Sequence, residues 1–305
     1  MQGVKRLARF ALRWCAPEGV ADLLRRAHER VAAPPPTLPS DVIARTADLA
    51  GRHAGRRCFI LATGPSIRTQ DLSPLADELC IAVSHFFLHP DIRRIRPAYH
   101  VLAPYHPPFD FDTLDTVFDG FDAHYDDDVR YVFGHRPYAY SVWDYLKKHP
   151  QRRKTHAYFV DYGRSEQLID ANSTRPDVWD LTTRPFEPRT VLYVAIQVAA
   201  YMGCREIVLL GCDHDYLADM TRVTNHHFYR EADGVSDAEH LGAFTTERWF
   251  EEYYFRWRQY RLMRQALAAR GITITNATAG GMLDVFPRAP LADYVAAAPA
   301  VGVGS

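Results

Sequence analysis

The chain lacks a net charge of either sign. Its 36 basic and 37 acidic side chains over 305 residues leave a formal charge of -1, which excludes the broad basic footprint of a nucleic-acid binder. Any anion site must therefore be local. Cysteine is scarce and odd in number: Cys15, Cys58, Cys80, Cys204 and Cys212 form no C-x-x-C pair and lie mostly in apolar runs. Free thiols of that kind behave as small hydrophobes and point to a reducing, cytoplasmic setting. No apolar run is long enough to span a bilayer, and no small-residue cleavage pattern follows the first fourteen residues, so secretion is not expected. Internal repeats and low-complexity tracts are also missing, apart from an alanine-rich C-terminal end that reads as a frayed tail.

What is present is an ordinary globular balance, 47% hydrophobic and 24% charged, enough for one sizeable core or two small ones. Residues 1–14 are basic and apolar. Val4, Leu7, Ala8, Ala11 and Leu12 share one helical face with arginines and Lys5 around it. That pattern fits an interfacial membrane helix, or a helix docked on the body or on a second copy in a homo-oligomer. Residues 33–40 carry four prolines and read as a stiff extended connector. The expected organisation is an N-terminal helical arm and connector over residues 1–53, a nucleotide-donor-binding catalytic domain over 54–292, and a flexible tail over 293–305.

Within the body, residues 57–62, 79–84 and 98–103 are short apolar runs that read as buried strands, the first followed at once by turn chemistry. Residues 128–133 add a fourth. The rest of 107–186 is polar and aromatic without a clear period. Residues 190–202 form an apolar helix closed by Gly203, residues 205–211 a strand ending in glycine, residues 247–269 a long helix and residues 271–276 a last strand. The alternation predicts an α/β, Rossmann-like fold of the GT-A-variant kind, with a mainly parallel sheet flanked by helices. Trp249, Phe250, Tyr253, Tyr254, Phe255, Trp257 and Tyr260 surround much of the long helix, which predicts burial on two sides.

Ligands of open α/β sheets lie beyond the carboxyl ends of the strands. The loops at Thr63-Gly64-Pro65-Ser66, Ser84-His85, residues 103–105 and residues 211–216 should therefore converge on one crevice. Gly64 would let the backbone approach a ligand, Pro65 fixes the turn, and Ser66 would cap a following helix whose amides receive a phosphate. Asp213 and Asp215 have the D-x-D spacing that holds a divalent ion against a diphosphate. The alternative is that Asp213 bonds loop amides at its strand end. His226 and His227 lie in a polar loop, where a neutral imidazole can take a proton from an attacking hydroxyl; surface hydrogen bonding is the plainer use.

Together, residues 58–66, the Asp71-Leu-Ser-Pro-Leu75 stretch, residues 202–213, His226-His227-Phe228-Tyr229 and residues 276–281 resemble a bacterial superfamily. It joins the family 42 sialyltransferases, the motility-accessory-factor flagellin glycosyltransferases and the 6-hydroxymethylpterin diphosphokinase-like proteins. The resemblance spans roughly residues 54–290 as spaced motifs. The chain departs from the sialyltransferase pattern at Thr63 and Ser84, which stand where that family has asparagines, and at Arg189-Thr190, where it has a Ser-Gly pair.

The resemblance implies an inverting transfer of a sialic-acid-like sugar from a CMP donor to a surface polysaccharide or glycolipid. Its catalytic histidine matches His226 or His227, with His227 favoured, and Tyr216 or Tyr229 is placed to stabilise the leaving phosphate. Thr63, Gly64, Pro65, Ser66, Ser84, Thr190 and Asp213 would hold the nucleotide. A CMP donor needs no metal, whereas a nucleoside diphosphate donor would call for magnesium or manganese. The rivals are a magnesium-dependent pterin diphosphotransferase and a non-catalytic nucleotide-sugar-binding subunit.

Overall fold

The computed structural model describes residues 37–163, 179–186, 188–218, 227–229 and 245–295. One parallel sheet of seven strands runs through them, in the order β5-β4-β3-β2-β1-β6-β7. The strands are β1 (Arg57–Leu61), β2 (Cys80–Val83), β3 (Tyr99–Leu102), β4 (Arg130–His135), β5 (Ala157–Asp161), β6 (Glu206–Leu210) and β7 (Thr273–Asn276). The helices are α1 (Ser40–Ala44), α2 (Ile92–Ile95), α3 (Phe111–His124), α4 (Val142–Lys148), α5 (Val191–Tyr201) and α6 (Thr246–Ala268). The fold is α/β and Rossmann-like, as the alternating pattern predicts.

The strands are near-continuous apolar runs because both sheet faces are covered. On one face Cys58, Ile60, Ile81, Val101, Val160, Ile207 and Leu209 pack with α5 and α6. Their alternates on the other face pack in two groups. Phe59, Leu61, Ala82 and Leu210 meet Ile67, Leu72, Leu75 and α2, while Leu102, Tyr131, Phe133 and Phe159 meet α3 and α4. Every residue of α5 from Leu192 to Ala200 is buried, including Gln197. That amide accepts a hydrogen bond from Tyr162 Oη at 3.0 Å and donates to the Phe186 carbonyl at 3.5 Å, so its polarity is matched inside the core.

Three expectations change. The described residues of the tract 107–186 hold two helices and two strands, with α3 built on a regular apolar stripe. Leu114, Val117, Phe118 and Phe121 form its buried stripe and Asp110 caps it, accepting from the Thr113 amide at 3.1 Å. Helix α6 is buried on one stripe, through Trp249, Tyr253, Tyr260, Met263 and Leu267, while Phe250 and Tyr254 remain 59% and 62% exposed. Residues 37–53, read as part of the connector and arm, pack on the body. Ile43 and Leu49 enter the two cores, Thr46 Oγ1 donates to the Phe159 carbonyl at 2.8 Å, and the amides of Gly51 and His53 bond the carbonyls of Tyr201 and Met202.

At the other end, Arg57 Nη1 donates to the Tyr294 carbonyl at 2.6 Å, so the first residues assigned to the tail also touch the sheet. Residues 1–36 and 296–305, with the proposed arm and most of the tail, lie outside the described residues. Among the described residues no helix is long and apolar enough to cross a membrane.

Thr46 is fully buried and its hydroxyl serves the edge strand β5. Replacing it with valine, which keeps the shape and removes the donor, is expected to cost about 1–2 kcal/mol. Urea denaturation measures this; an unchanged midpoint would mean that residues 37–49 do not stabilise the domain.

Candidate functional site

From β1 the chain builds outward to β5 in one direction, then returns to place β6 on the opposite side of β1. The strand order therefore reverses between β1 and β6, and the crevice at their carboxyl ends is where such sheets bind ligands. The loop after β1 carries Thr63, Gly64, Pro65 and Ser66; the loop after β6 carries Gly211 to Asp215. The Gly64 amide donates to the Gly211 carbonyl at 2.8 Å, so the two loops are in direct backbone contact.

Asp213 locks them. Its Oδ1 accepts the Ser66 amide at 3.2 Å and its Oδ2 accepts the Ser66 hydroxyl at 2.7 Å. A Cβ on Gly64 would stand 1.9 Å from Asp213 Oδ2 and 2.5 Å from the Gly211 carbonyl oxygen. Gly281, at φ +76°, lies against the other side, where a Cβ would meet the Asp213 carbonyl oxygen at 2.6 Å. The Met282 amide donates to that same oxygen at 2.7 Å. Gly64 thus leaves room for the buried carboxylate, and Gly281 for the backbone that carries it. Burial raises the Asp213 pKa above the ordinary carboxylate value, the two bonds from Ser66 act against that, and the Asp215 charge adds to the rise.

This geometry corrects two expectations. The space that Gly64 keeps open is taken by Asp213, not left for a ligand to approach from that side. Ser66 does not cap a helix: the segment after Gly64 is a five-residue 3₁₀ turn, Pro65–Thr69, without a side-chain cap. Asp213 is instead the carboxylate that ties loop groups at its strand end. Its donor set also fits a metal poorly, since both oxygens receive hydrogens from Ser66 and burial favours the protonated form. Among the described residues no group of three or more histidine, cysteine or carboxylate side chains is arranged to hold a metal ion.

The histidine loop joins the same crevice. His227 Nδ1 lies 3.0 Å from Thr63 Oγ1, and the Phe228 amide donates to the Thr63 carbonyl at 2.9 Å. The His227 and Tyr229 rings stack at 5.0 Å with planes 11° apart, and Tyr229 Oη meets His85 Nδ1 at 3.2 Å. Phe228 packs on Phe86 and His89, so residues 227–229 are anchored to the loops after both β1 and β2. His226 lies outside the described residues.

Ser84 follows β2 with a left-handed φ of 52°, and its carbonyl accepts from His100 Nε2 at 2.8 Å. A carbonyl can only accept, so His100 carries its proton on Nε2 and receives the Tyr125 hydroxyl on Nδ1, at 2.8 Å. Burial pushes the His100 pKa down to about 3, which keeps this strut neutral.

Thr190 and Tyr216 belong to a second network. Thr190 caps α5, its Oγ1 accepting the Tyr193 amide at 3.3 Å. The same oxygen meets Tyr260 Oη at 2.8 Å, and Tyr260 Oη in turn meets His214 Nε2 at 2.9 Å. His214 sits between the two aspartates at φ 49° and keeps part of its surface exposed. Its ring nevertheless lies among Tyr216, Trp257 and Tyr260, and desolvation, with Arg256 nearby, pushes its pKa down to about 3. Tyr216 stacks on Trp249 at 6.3 Å and meets Tyr253 edge-on at 6.5 Å. The expected site residues therefore fall into two networks joined by the 211–215 loop: Thr63, Ser84, His227 and Tyr229 in one, Thr190 and Tyr216 in the other. His85 and His214 lie in loops expected at the crevice, Tyr260 among the aromatic residues of the long helix and Gly281 in the last motif, but the sequence assigns none of them its partner there.

No protein-family model and no curated protein matches the chain. Among solved structures, the sialyltransferase CstII from Campylobacter jejuni in complex with the substrate analogue cytidine-5'-monophosphate is similar at 14% identity, over 78% of this chain and 86% of that one, with a TM-score of 0.43. Sialyltransferase CST-II in complex with a trisaccharide acceptor and CMP is similar at 15% identity, over 77% and 86% of the two chains, with a TM-score of 0.43.

Two predictions follow from the Asp213 clamp. Gly64→Ala forces a methyl group into the carboxylate and should destabilise the fold by roughly 1–3 kcal/mol or more; wild-type thermal stability in that variant would show that the loops separate easily. Ser66→Ala removes one of the two bonds that favour the Asp213 anion, so the folded pKa rises further. The charged form bears the cost: a loss of about 1–2 kcal/mol at pH 7 should shrink as pH falls through the Asp213 pKa. Denaturant titrations at pH 7 and pH 4 check it, and a loss of equal size at both would contradict the account.

Proposed function

We propose that the chain is a glycosyltransferase that moves a sialic-acid-like sugar from a CMP donor onto a surface polysaccharide or glycolipid acceptor, with inversion at the anomeric carbon. The motif resemblance suggests the reaction. The observation that carries it here is the Thr63–His227 hydrogen bond, because it sets a fixed imidazole beside the turn that closes the strand-order crevice. In this reading the nucleotide lies across the Thr63–Ser66 turn and the acceptor hydroxyl approaches His227.

His227 is the base. With its proton on Nδ1, donated to Thr63 Oγ1, the ring presents Nε2 as the basic nitrogen. Nε2 takes the acceptor hydroxyl proton as the oxygen attacks the anomeric carbon. The new glycosidic bond forms, the bond from that carbon to the phosphate oxygen breaks, and its electron pair leaves with CMP. Tyr229 stabilises the departing oxygen: when His85 Nδ1 donates to the Tyr229 oxygen, the phenol hydrogen is turned toward the phosphate. Tyr216, set against α6 by Trp249 and Tyr253, is the second candidate donor.

A donor with a single phosphate suits an Asp213 whose oxygens are occupied by Ser66, and no step is assigned to a metal. Residues 1–14, with their amphipathic pattern, are consistent with work at the cytoplasmic face of a membrane, where such acceptors are assembled.

Turnover of CMP-sialic acid and CMP binding, measured for wild type, His226→Asn and His227→Asn, test the proposal. His227→Asn should lower kcat by about 10²–10⁴ while CMP affinity stays within about twofold, the split expected for a group acting on the transition state. Unchanged kcat in His227→Asn would contradict the assignment. So would a wild type that uses only a nucleoside diphosphate or triphosphate substrate with magnesium.

A further inference from the structure

The second half of α6 carries an unbalanced charge. In its first turns the helix neutralises its cations: Arg248 pairs with Glu251 at 3.0 Å and Glu252 at 2.6 Å, and Glu252 also takes Arg189 at 3.1 Å. From Tyr253 to Ala268 the helix has no acidic residue, yet it carries Arg256, Arg258, Arg261 and Arg264. Arg256 turns inward over the Tyr253 ring. The other three line a groove of about 340 Å³ on the outer face of the helix, with Tyr254, Trp257 and Asp284. Tyr254, Trp257, Arg258 and Arg261 follow one another at spacings of three, one and three residues, so they share one stripe.

The groove's one carboxylate is already engaged, because Asp284 Oδ1 accepts the Trp257 indole N–H at 2.8 Å, and Arg264 Nη1 donates to the Val285 carbonyl. Among the described residues Arg258 and Arg261 make no ion pair. Three guanidinium groups beside one carboxylate leave a net positive groove on a chain whose total charge is -1. The groove also has aromatic walls. Tyr254 is 62% exposed, and Trp257 is held in orientation through its N–H. Apolar ring faces beside unpaired planar donors suit a ligand that is both flat-sided and anionic, and the volume suits a unit of one or two sugar rings.

We propose that this groove is a second ligand site, which binds a carboxylate-bearing saccharide unit: sugar C–H faces against Tyr254 and Trp257, carboxylate on Arg258 and Arg261. It would hold an acidic glycan on the outer face of α6, and it stands on the groove alone, independent of the donor-site reading. The probe is tetragalacturonate, titrated calorimetrically into the full chain, with maltotetraose as the neutral control and pyrophosphate as the phosphate control.

Tetragalacturonate should bind and weaken as salt is added. Its affinity should fall at least about tenfold in the Arg258→Ala/Arg261→Ala double variant and fall measurably in Tyr254→Ala. Both variants change exposed or half-exposed side chains and should keep the wild-type melting temperature and CMP response, which separates failure here from failure of the donor site. No binding, equal binding of maltotetraose, or affinity unchanged in both variants would overturn the proposal. Pyrophosphate binding with the same arginine dependence, and none by the saccharide, would overturn it in favour of a phosphate site.

Discussion

One buried carboxylate holds the candidate site together. Asp213 leaves β6 at the point where the strand order reverses, its carboxylate against Gly64 and its backbone against Gly281. Ser66 supplies both hydrogens that make its burial tolerable. A side chain at position 64 would occupy the carboxylate's space, and without Ser66 the carboxylate would be a buried charge with too few donors. The turn at Thr63 is thereby fixed relative to β6, and everything that depends on Thr63 inherits the position: the His227 ring through its Nδ1, and Phe228 through its amide.

Around this carboxylate, two imidazoles are held uncharged by their surroundings. His100 is kept uncharged between Tyr125 and the Ser84 carbonyl, and His214 is kept uncharged between the aspartates with its Nε2 on Tyr260. Both imidazoles have strongly lowered pKa values because burial penalises their cations. They serve as struts for the loops after β2 and β6. Thr190, at the start of the most buried helix, closes the second strut through Tyr260. Placement of the crevice thus reaches from the sheet to both α5 and α6.

Much of the fold was readable from apolar runs. The strands at β1, β2, β3, β4, β6 and β7, and helices α5 and α6, follow the expected positions closely, because fully covered parallel strands leave continuous hydrophobic stretches. Helix α3 and strand β5 are not legible in the sequence because both lie in a polar and aromatic tract, where the aspartates at 112, 115, 119 and 122 interrupt the apolar stripe of α3 and β5 ends on the charged Asp161. The convergence of the Thr63–Ser66 and Gly211–Asp215 loops was also legible, since strand ends are predictable. The partners within them were not: that Gly64 makes room for Asp213, or that Thr190 bonds Tyr260, depends on packing between segments 70 to 150 residues apart. The aromatic residues of α6 mislead for a similar reason. Their composition signals burial, while Phe250 and Tyr254 in fact face outward.

The central claim is that the crevice locked by Asp213 receives a nucleoside monophosphate without a metal ion. Its most direct test is the melting temperature of the purified chain with CMP, CDP, UDP, GDP and ATP, each with magnesium and with chelator. A ligand at a hundred times its dissociation constant stabilises the native state by about 2.7 kcal/mol, a shift of several degrees for a domain of this size. The account predicts that CMP raises the melting temperature equally in magnesium and in chelator. Stabilisation confined to a diphosphate or triphosphate with magnesium, or no response to any nucleotide, would contradict it.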